Sequence, residues 1–121
     1  MSERPMLAPE KVAEAVKSQI ASFHRSIVDE VAGAVSRDGV VVVGMAQNPF
    51  VKKARRLLDG EGVRYTYLEY GSYLSKWRER LAIKLWAGFP TLPMVFVDGV
   101  LEGGYAELVK LRDQGKLKKQ P

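Results

Sequence analysis

Gly88-Phe89-Pro90-Thr91-Leu92-Pro93-Met94-Val95-Phe96-Val97-Asp98-Gly99-Val100-Leu101-Glu102-Gly103-Gly104 is the stretch on which the fold turns. Residues 94–98 form a short apolar run of strand type. Asp98-Gly99 is the two-residue signal of a tight antiparallel hairpin, and residues 100–102 supply the return strand. Gly103-Gly104 reads as a turn. The helix expected from Tyr105 to Gln114 stops at Gly115, and Lys116 to Pro121 reads as a frayed tail. A Thr-X-Pro, Thr91-Leu92-Pro93, stands immediately before this hairpin.

Upstream, Val40 to Val43 is an uninterrupted β-branched run between Gly39 and Gly44. Such a run suits a central strand buried on both faces. Asn48-Pro49 then starts a helix: the Asn side chain accepts from exposed backbone N–H groups, and Pro at the next position needs no N–H partner. Phe50, Val51, Ala54, Leu57 and Leu58 give its expected buried face, while Lys52, Lys53, Arg55 and Arg56 face water. Gly60 and Gly62 end it. Residues 63–69 alternate as a second strand, and one strand, one helix and another strand imply a right-handed parallel crossover. Residues 72–87 read as a helix with Leu74, Trp77, Leu81, Leu85 and Trp86 inward. Residues 9–37 carry a helical stripe of Val12, Val16, Ile20, Phe23, Ile27, Val31 and Val35, and either one long helix or two broken near Ser26 fits. The order is α-β-α-β-α-β-β-α.

The chain has 121 residues, 46% hydrophobic and 27% charged, which suits a single domain with one core. It contains no cysteine, so disulfides, thiolate metal sites and cysteine nucleophiles have no residue to use. The net charge of +5 is spread over the chain, with nine basic and seven acidic residues in 1–60 and ten and seven in 61–121. Neither half is a basic arm, and no nucleic-acid motif accompanies the Lys52–Arg56 cluster. No apolar run is long enough to span a bilayer, and residues 1–10 lack the pattern of a leader, so the expected location is cytoplasmic and no membrane partner is expected. His24 is solitary and reads as a boundary residue, and no metal-ligand cluster is visible. The tryptophans at 77 and 86 read as core, and Phe89 as the surface aromatic.

The strand-helix-strand and helix-hairpin-helix units, the Thr-X-Pro and the paired glycines together resemble the thioredoxin fold, and within it the glutaredoxin family. The resemblance covers residues 27–119 and is closest to the single-cysteine (monothiol) branch. Gly88-Phe89-Pro90-Thr91-Leu92-Pro93 is similar to that branch's G-W-P-T-I-P, and residues 95–104 are similar to its strand, hairpin and glycine pair. The expected architecture is an α/β, four-stranded mixed sheet flanked by helices. Residues 1–26 form an N-terminal helical extension and residues 27–121 the glutaredoxin-like domain.

The family's Cys-X-X-Cys or Cys-X-X-Ser slot falls on Asn48-Pro49-Phe50-Val51. Asn48 therefore stands at the nucleophile position and Val51 at the second. In the family the helix N-terminus favours a thiolate there. A carboxamide keeps the cap but has no ionisable thiol. For Asn48 two roles stay open: a helix start only, or a donor site for an anion or a ligand sulfur.

The resemblance implies a ligand groove at Asn48, Pro49, Phe50, Lys84, Thr91, Leu92, Pro93, Gly103, Gly104 and Tyr105. The bond before Pro93 is expected to be cis, leaving the Leu92 backbone to pair with an extended peptide. Gly103 and Gly104 fall where the family meets the γ-glutamyl end of glutathione, and Lys84 where a basic residue meets its glycyl carboxylate. Two departures weaken that ligand. The lysine expected after the first strand is absent from Gly44-Met45-Ala46-Gln47, and the acid after the glycines is Ala106, with Glu107 one position late. Each lost charge-assisted bond is worth about 1.5–3 kcal/mol. Glutathione is thus expected to bind weakly, and no iron–sulfur cluster is expected because the family ligates it through the missing thiolate.

These readings imply a non-catalytic binding or interaction module, with a small thiol peptide or an extended peptide segment as partner. One alternative is a transferase-type glutathione enzyme using a hydroxyl such as Tyr105 or Thr91. Another is a structural role, as monomer or as homodimer through the N-terminal helix, whose apolar face packs on its own domain, covers the groove or pairs with a second copy.

Overall fold

The computed structural model describes residues 5–117. The expected tail from residue 118 onward and residues 1–4 lie outside that range. Two of the tail's residues are held: Lys116 N donates to Leu111 O at 2.8 Å, and Leu117 packs on the core.

The valine run becomes β1 (Val40–Gly44), and Val41, Val42 and Val43 are fully buried. Strand alternation sends Val41 and Val43 to one face of the sheet and Val42 to the other. Each such side chain stabilises the fold by about 1.5–3 kcal/mol through burial. β1 pairs in parallel with β2 (Thr66–Glu69) and antiparallel with β3 (Met94–Val97), and β3 pairs antiparallel with β4 (Val100–Gly103). The sheet order is β2-β1-β3-β4, with the valine run inside, as its continuous apolarity implies. Between β3 and β4, Asp98 (φ 51) and Gly99 (φ 82) both adopt the left-handed conformation that a tight primed turn requires.

Helices cover both faces. On one, α2 (Arg25–Arg37) and α4 (Trp77–Ala87) bury Val31, Ala34 and Ile83 against Val41, Val43, Met94 and Phe96. On the other, α3 (Pro49–Gly60) and α5 (Tyr105–Asp113) bury Ala54, Leu57, Leu58 and Leu108 against Val42 and Val95. The four-stranded mixed sheet between helix layers is the architecture expected from the sequence.

Several local expectations are corrected. The N-terminal segment is a short 3-10 turn (Pro9–Lys11) followed by α1 (Glu14–Ser22), and of the two alternatives the broken one holds, with the break from α2 at Phe23-His24, two residues before Ser26. His24 sits at φ 45, which no continuous helix accommodates. α1 buries none of its residues, and its stripe residues Val16 and Ile20 stay exposed. β2 begins at Thr66 and α4 at Trp77, each later than the sequence pattern suggests. Residues 71–76 form a loop in which Ser75 Oγ accepts from Ser72 N and Lys76 takes φ 56.

The inward face of α4 is also different. Leu74 is 97% exposed, Trp77 59% and Leu85 67%, with Leu81 and Trp86 exposed as well, whereas Arg80, Ala82 and Ile83 are buried. Arg80 reverses the expected order because its Nη1 donates to the carbonyls of Tyr70 and Ser75, which satisfies a guanidinium that burial alone would penalise. Phe50 turns outward at 53% exposure, while Phe89 packs on the core, so the aromatic assignments exchange places. Among the described residues no helix is long and apolar enough to cross a membrane.

Candidate ligand groove

At the C-terminal edge of β1, Gly44 allows α3 to start close to the sheet. A Cβ there would lie 2.7 Å from Val51 Cγ1 and 2.9 Å from the Tyr67 ring. Four residues on, Asn48 caps α3: its Oδ1 accepts from Phe50 N at 2.9 Å and Val51 N at 3.1 Å, and Pro49 occupies the first helical position. Such a cap is worth about 0.5–2 kcal/mol. The same bonds occupy N–H groups that would otherwise face the groove. Val51 itself is buried, 2% exposed, beneath the helix start.

The segment before β3 comes in beside this cap. The Leu92-Pro93 peptide is cis, Leu92 and Pro93 are buried and Thr91 is exposed. The backbone at Gly104 passes close to Pro93, whose carbonyl oxygen would be 3.4 Å from a Cβ on Gly104. Gly104 is also the cap residue of α5, and its N–H donates to Glu107 Oε1 at 2.8 Å. Gly103 makes this possible: it adopts φ 124, and a Cβ on it would lie 2.6 Å from Glu107 Cγ and Oε1.

Together these elements enclose a groove of about 700 Å³. Asn48, Pro49, Phe50, Lys84, Thr91, Leu92, Pro93, Gly104 and Tyr105, all named from the sequence, line it. Gly103 lies outside the lining, buried at the end of β4. Met45 and Glu107, noted in the sequence but not assigned to the site, also line it, as do Tyr73 and Arg80, which the sequence reading missed. Arg80 precedes Lys84 by one helical turn and so shares its face, but a helix register built on Leu81 and Leu85 hides it. Glu107 was legible as the acidic residue three positions after a helix cap.

Basic groups enter from α4 and an acidic one from α5, so the groove has a cationic and an anionic flank. Two phenols nearby serve structure. Tyr67 donates to Glu69 at 3.0 Å under the Arg55 guanidinium, which lies 3.9 Å from the ring centre, and Tyr70 donates to Glu30. Desolvation first, and the carboxylate acceptor second, push both phenols well above their ordinary range, so both stay protonated donors at neutral pH.

A second groove, of about 670 Å³, is formed by α1, α2 and α4 from Val16, Ile20, Phe23, Leu81, Leu85 and Trp86, with the Arg25–Asp29 ion pair at its edge. α1 thus lies along its own domain and contributes no residue to the lining of the Asn48 groove. His24 stacks edge-on with Phe23, and its Nδ1 is 3.9 Å from Glu79 Oε1. Among the described residues no group of three or more His, Cys, Asp or Glu is placed to hold a metal ion.

Comparison with known proteins agrees with this geometry. Residues 40–102 match the glutaredoxin family model. The chain is 46% identical over 107 residues to a glutaredoxin-like protein of Dictyostelium discoideum, covering 88% of this chain and 87% of the relative. It is 32% identical over 80 residues to glutaredoxin 1 of Rickettsia conorii, covering 66% of this chain and 78% of that protein. In three dimensions it superposes on the crystal structure of a mutated buckwheat glutaredoxin with a TM-score of 0.70 at 23% identity, over 79% of this chain and 87% of the other, a likeness of fold.

Proposed function

The chain belongs to the glutaredoxin family, and we propose that within it the chain acts as a binding and interaction module whose redox centre has been replaced. Its nearest affinity in this reading is to the single-cysteine branch, with Asn48 at the position of the thiol, residues 27–121 as the working domain and the cytoplasm as its setting. The observation that carries the reading is the Asn48 cap. Its carboxamide oxygen takes two N–H groups at the start of α3, in a chain that has no cysteine at all. An amide so placed completes the helix, and it supplies no thiolate for exchange with a disulfide.

The ligand proposed for the groove is an extended peptide or, weakly, glutathione. Leu92 would offer its backbone to an added strand, and Lys84 would meet a carboxylate. The test is a titration of glutathione to millimolar concentration followed by amide resonances. Shifts confined to Leu92, Gly104 and their neighbours support the reading, and unchanged resonances there sink it. Reduction of a mixed glutathione disulfide above background would overturn the redox-silent part alone.

A second reading, assembly through the N-terminal helix, is favoured by the exposed apolar residues of α1 and α4. Light scattering on the full chain decides it, since a clean monomer at high concentration leaves no assembly to explain.

A further inference from the structure

The exposed apolar side chains of this molecule gather on one side. Steps of four along α4 put Trp77, Leu81 and Leu85 on one outward stripe, and Val16 and Ile20 of α1 extend it across the second groove. Leu74 stands in the loop just before this stripe, with Tyr73 beside it, and both are exposed. That loop is braced: Arg80 Nη1 donates to the carbonyls of Tyr70 and Ser75, Ser75 Oγ accepts from Ser72 N, and Ser72 Oγ accepts from Leu74 N at 3.3 Å. A fixed loop therefore holds out a leucine that is 97% exposed, between two aromatic residues that each have an apolar body and a polar tip.

The charges around this face are uneven. Of the acids on its helices, Glu14 pairs with Lys17 at 3.1 Å, Asp29 pairs with Arg25 at 2.9 Å, Glu79 lies 3.9 Å from His24, and Glu30 accepts from the Tyr70 hydroxyl. Lys76 and Arg78, which bracket Trp77 in the chain, have no ion pair among the described residues, and the Arg78 guanidinium lies 5.2 Å from the Trp77 ring centre. An apolar and aromatic surface with unpaired cations matches a partner that is anionic at its surface and apolar beneath. A second copy matches it poorly, because it brings the same cations and a net charge of +5 of its own. A fluid lipid layer also accepts a protruding leucine without a preformed hollow.

We propose that this face docks the protein on the surface of a lipid bilayer carrying anionic headgroups, with Leu74 and Trp77 entering the acyl boundary and Lys76 and Arg78 at headgroup level. The protein lies on the bilayer, which needs no spanning helix. The sequence points to no membrane partner because it holds no long apolar run, whereas this face is assembled from α1, α4 and the loop before it. Such docking is separate from the peptide groove, and it assigns to lipid the face that an assembly role would give to a second copy.

The experiment sediments the full chain with vesicles of phosphatidylcholine alone and of phosphatidylcholine with about one quarter phosphatidylglycerol. The mixed vesicles should bind the protein tighter by about tenfold or more, and less so as salt rises. Both tryptophans of the chain lie on this face, so their emission should shift to the blue on the mixed vesicles. Leu74→Ser should lower that affinity about tenfold and Arg78→Gln about fivefold, with circular dichroism unchanged in both, since both positions are exposed. Absence of binding to either vesicle overturns lipid docking. So does binding to the mixed vesicles that neither substitution weakens, because a different basic face then carries it. If vesicles do not bind and light scattering shows a dimer that Leu74→Ser dissociates, the face belongs to a second copy instead.

Discussion

The two grooves of this molecule are nearly equal in volume, about 700 Å³ and 670 Å³, and they are built in opposite ways. The Asn48 groove is framed by backbone: a helix cap, a cis peptide, and a pair of glycines whose missing side chains let strands and helix ends approach. The groove under α1 is framed by side chains on the outer faces of three helices, and its apolar residues are largely exposed. A site fixed by backbone geometry keeps its shape when individual side chains change. A face made of exposed side chains is defined only by what it meets.

That contrast can be broken or sharpened by substitution. The largest effect is expected for Asn48→Cys. If position 48 lies at the N-terminus of α3, the new thiol should titrate below the ordinary value of about 8.5 and exchange with a glutathione mixed disulfide at a rate well above background. A pH titration of thiolate absorbance reads this directly, and an ordinary thiol would show that the helix start does not act on residue 48.

Gly103→Ala comes next. Its left-handed φ and the closeness of Glu107 should together cost about 1–3 kcal/mol, and the amide signal of Gly104 should move as Glu107 is displaced. Chemical denaturation combined with amide spectra checks both parts, and a stability unchanged from the parent would mean the gap is not filled as described.

The smallest effect belongs to the other groove. Leu85→Ala should change stability by no more than about 0.5 kcal/mol, because the side chain is largely exposed in the monomer. A larger loss that grows with protein concentration would reveal a partner copy on that face and make the two grooves functionally comparable.

How much of this was legible in the sequence differs from element to element. The valine run, the Asn-Pro start and the Asp-Gly hairpin each encode a local physical requirement: burial on both faces, a filled cap, a turn of left-handed residues. Each formed where expected. The inward face of α4 was not legible, because periodicity assigns apolar residues inward, and here an arginine satisfied by two carbonyls takes that place. The α1–α2 break at His24 has no glycine or proline to announce it, and the cap-like pattern from Ser26 marked it only to within two residues. Of the groove, the residues belonging to turns and caps could be named, since their types are tied to backbone shape. Arg80 and Tyr73 could not, because only the packing of α4 and its preceding loop brings them to the lining.

The sequence by itself determined the order of elements, the central place of β1, the helix start at Asn48 and the lack of any thiol, because each follows from local residue chemistry. Only the tertiary structure decided that Lys84 and Glu107 share one groove from opposite faces of the sheet, and that α1 contributes no residue to its lining. These are relations between segments distant in the chain. They depend on distances that a residue pattern does not contain.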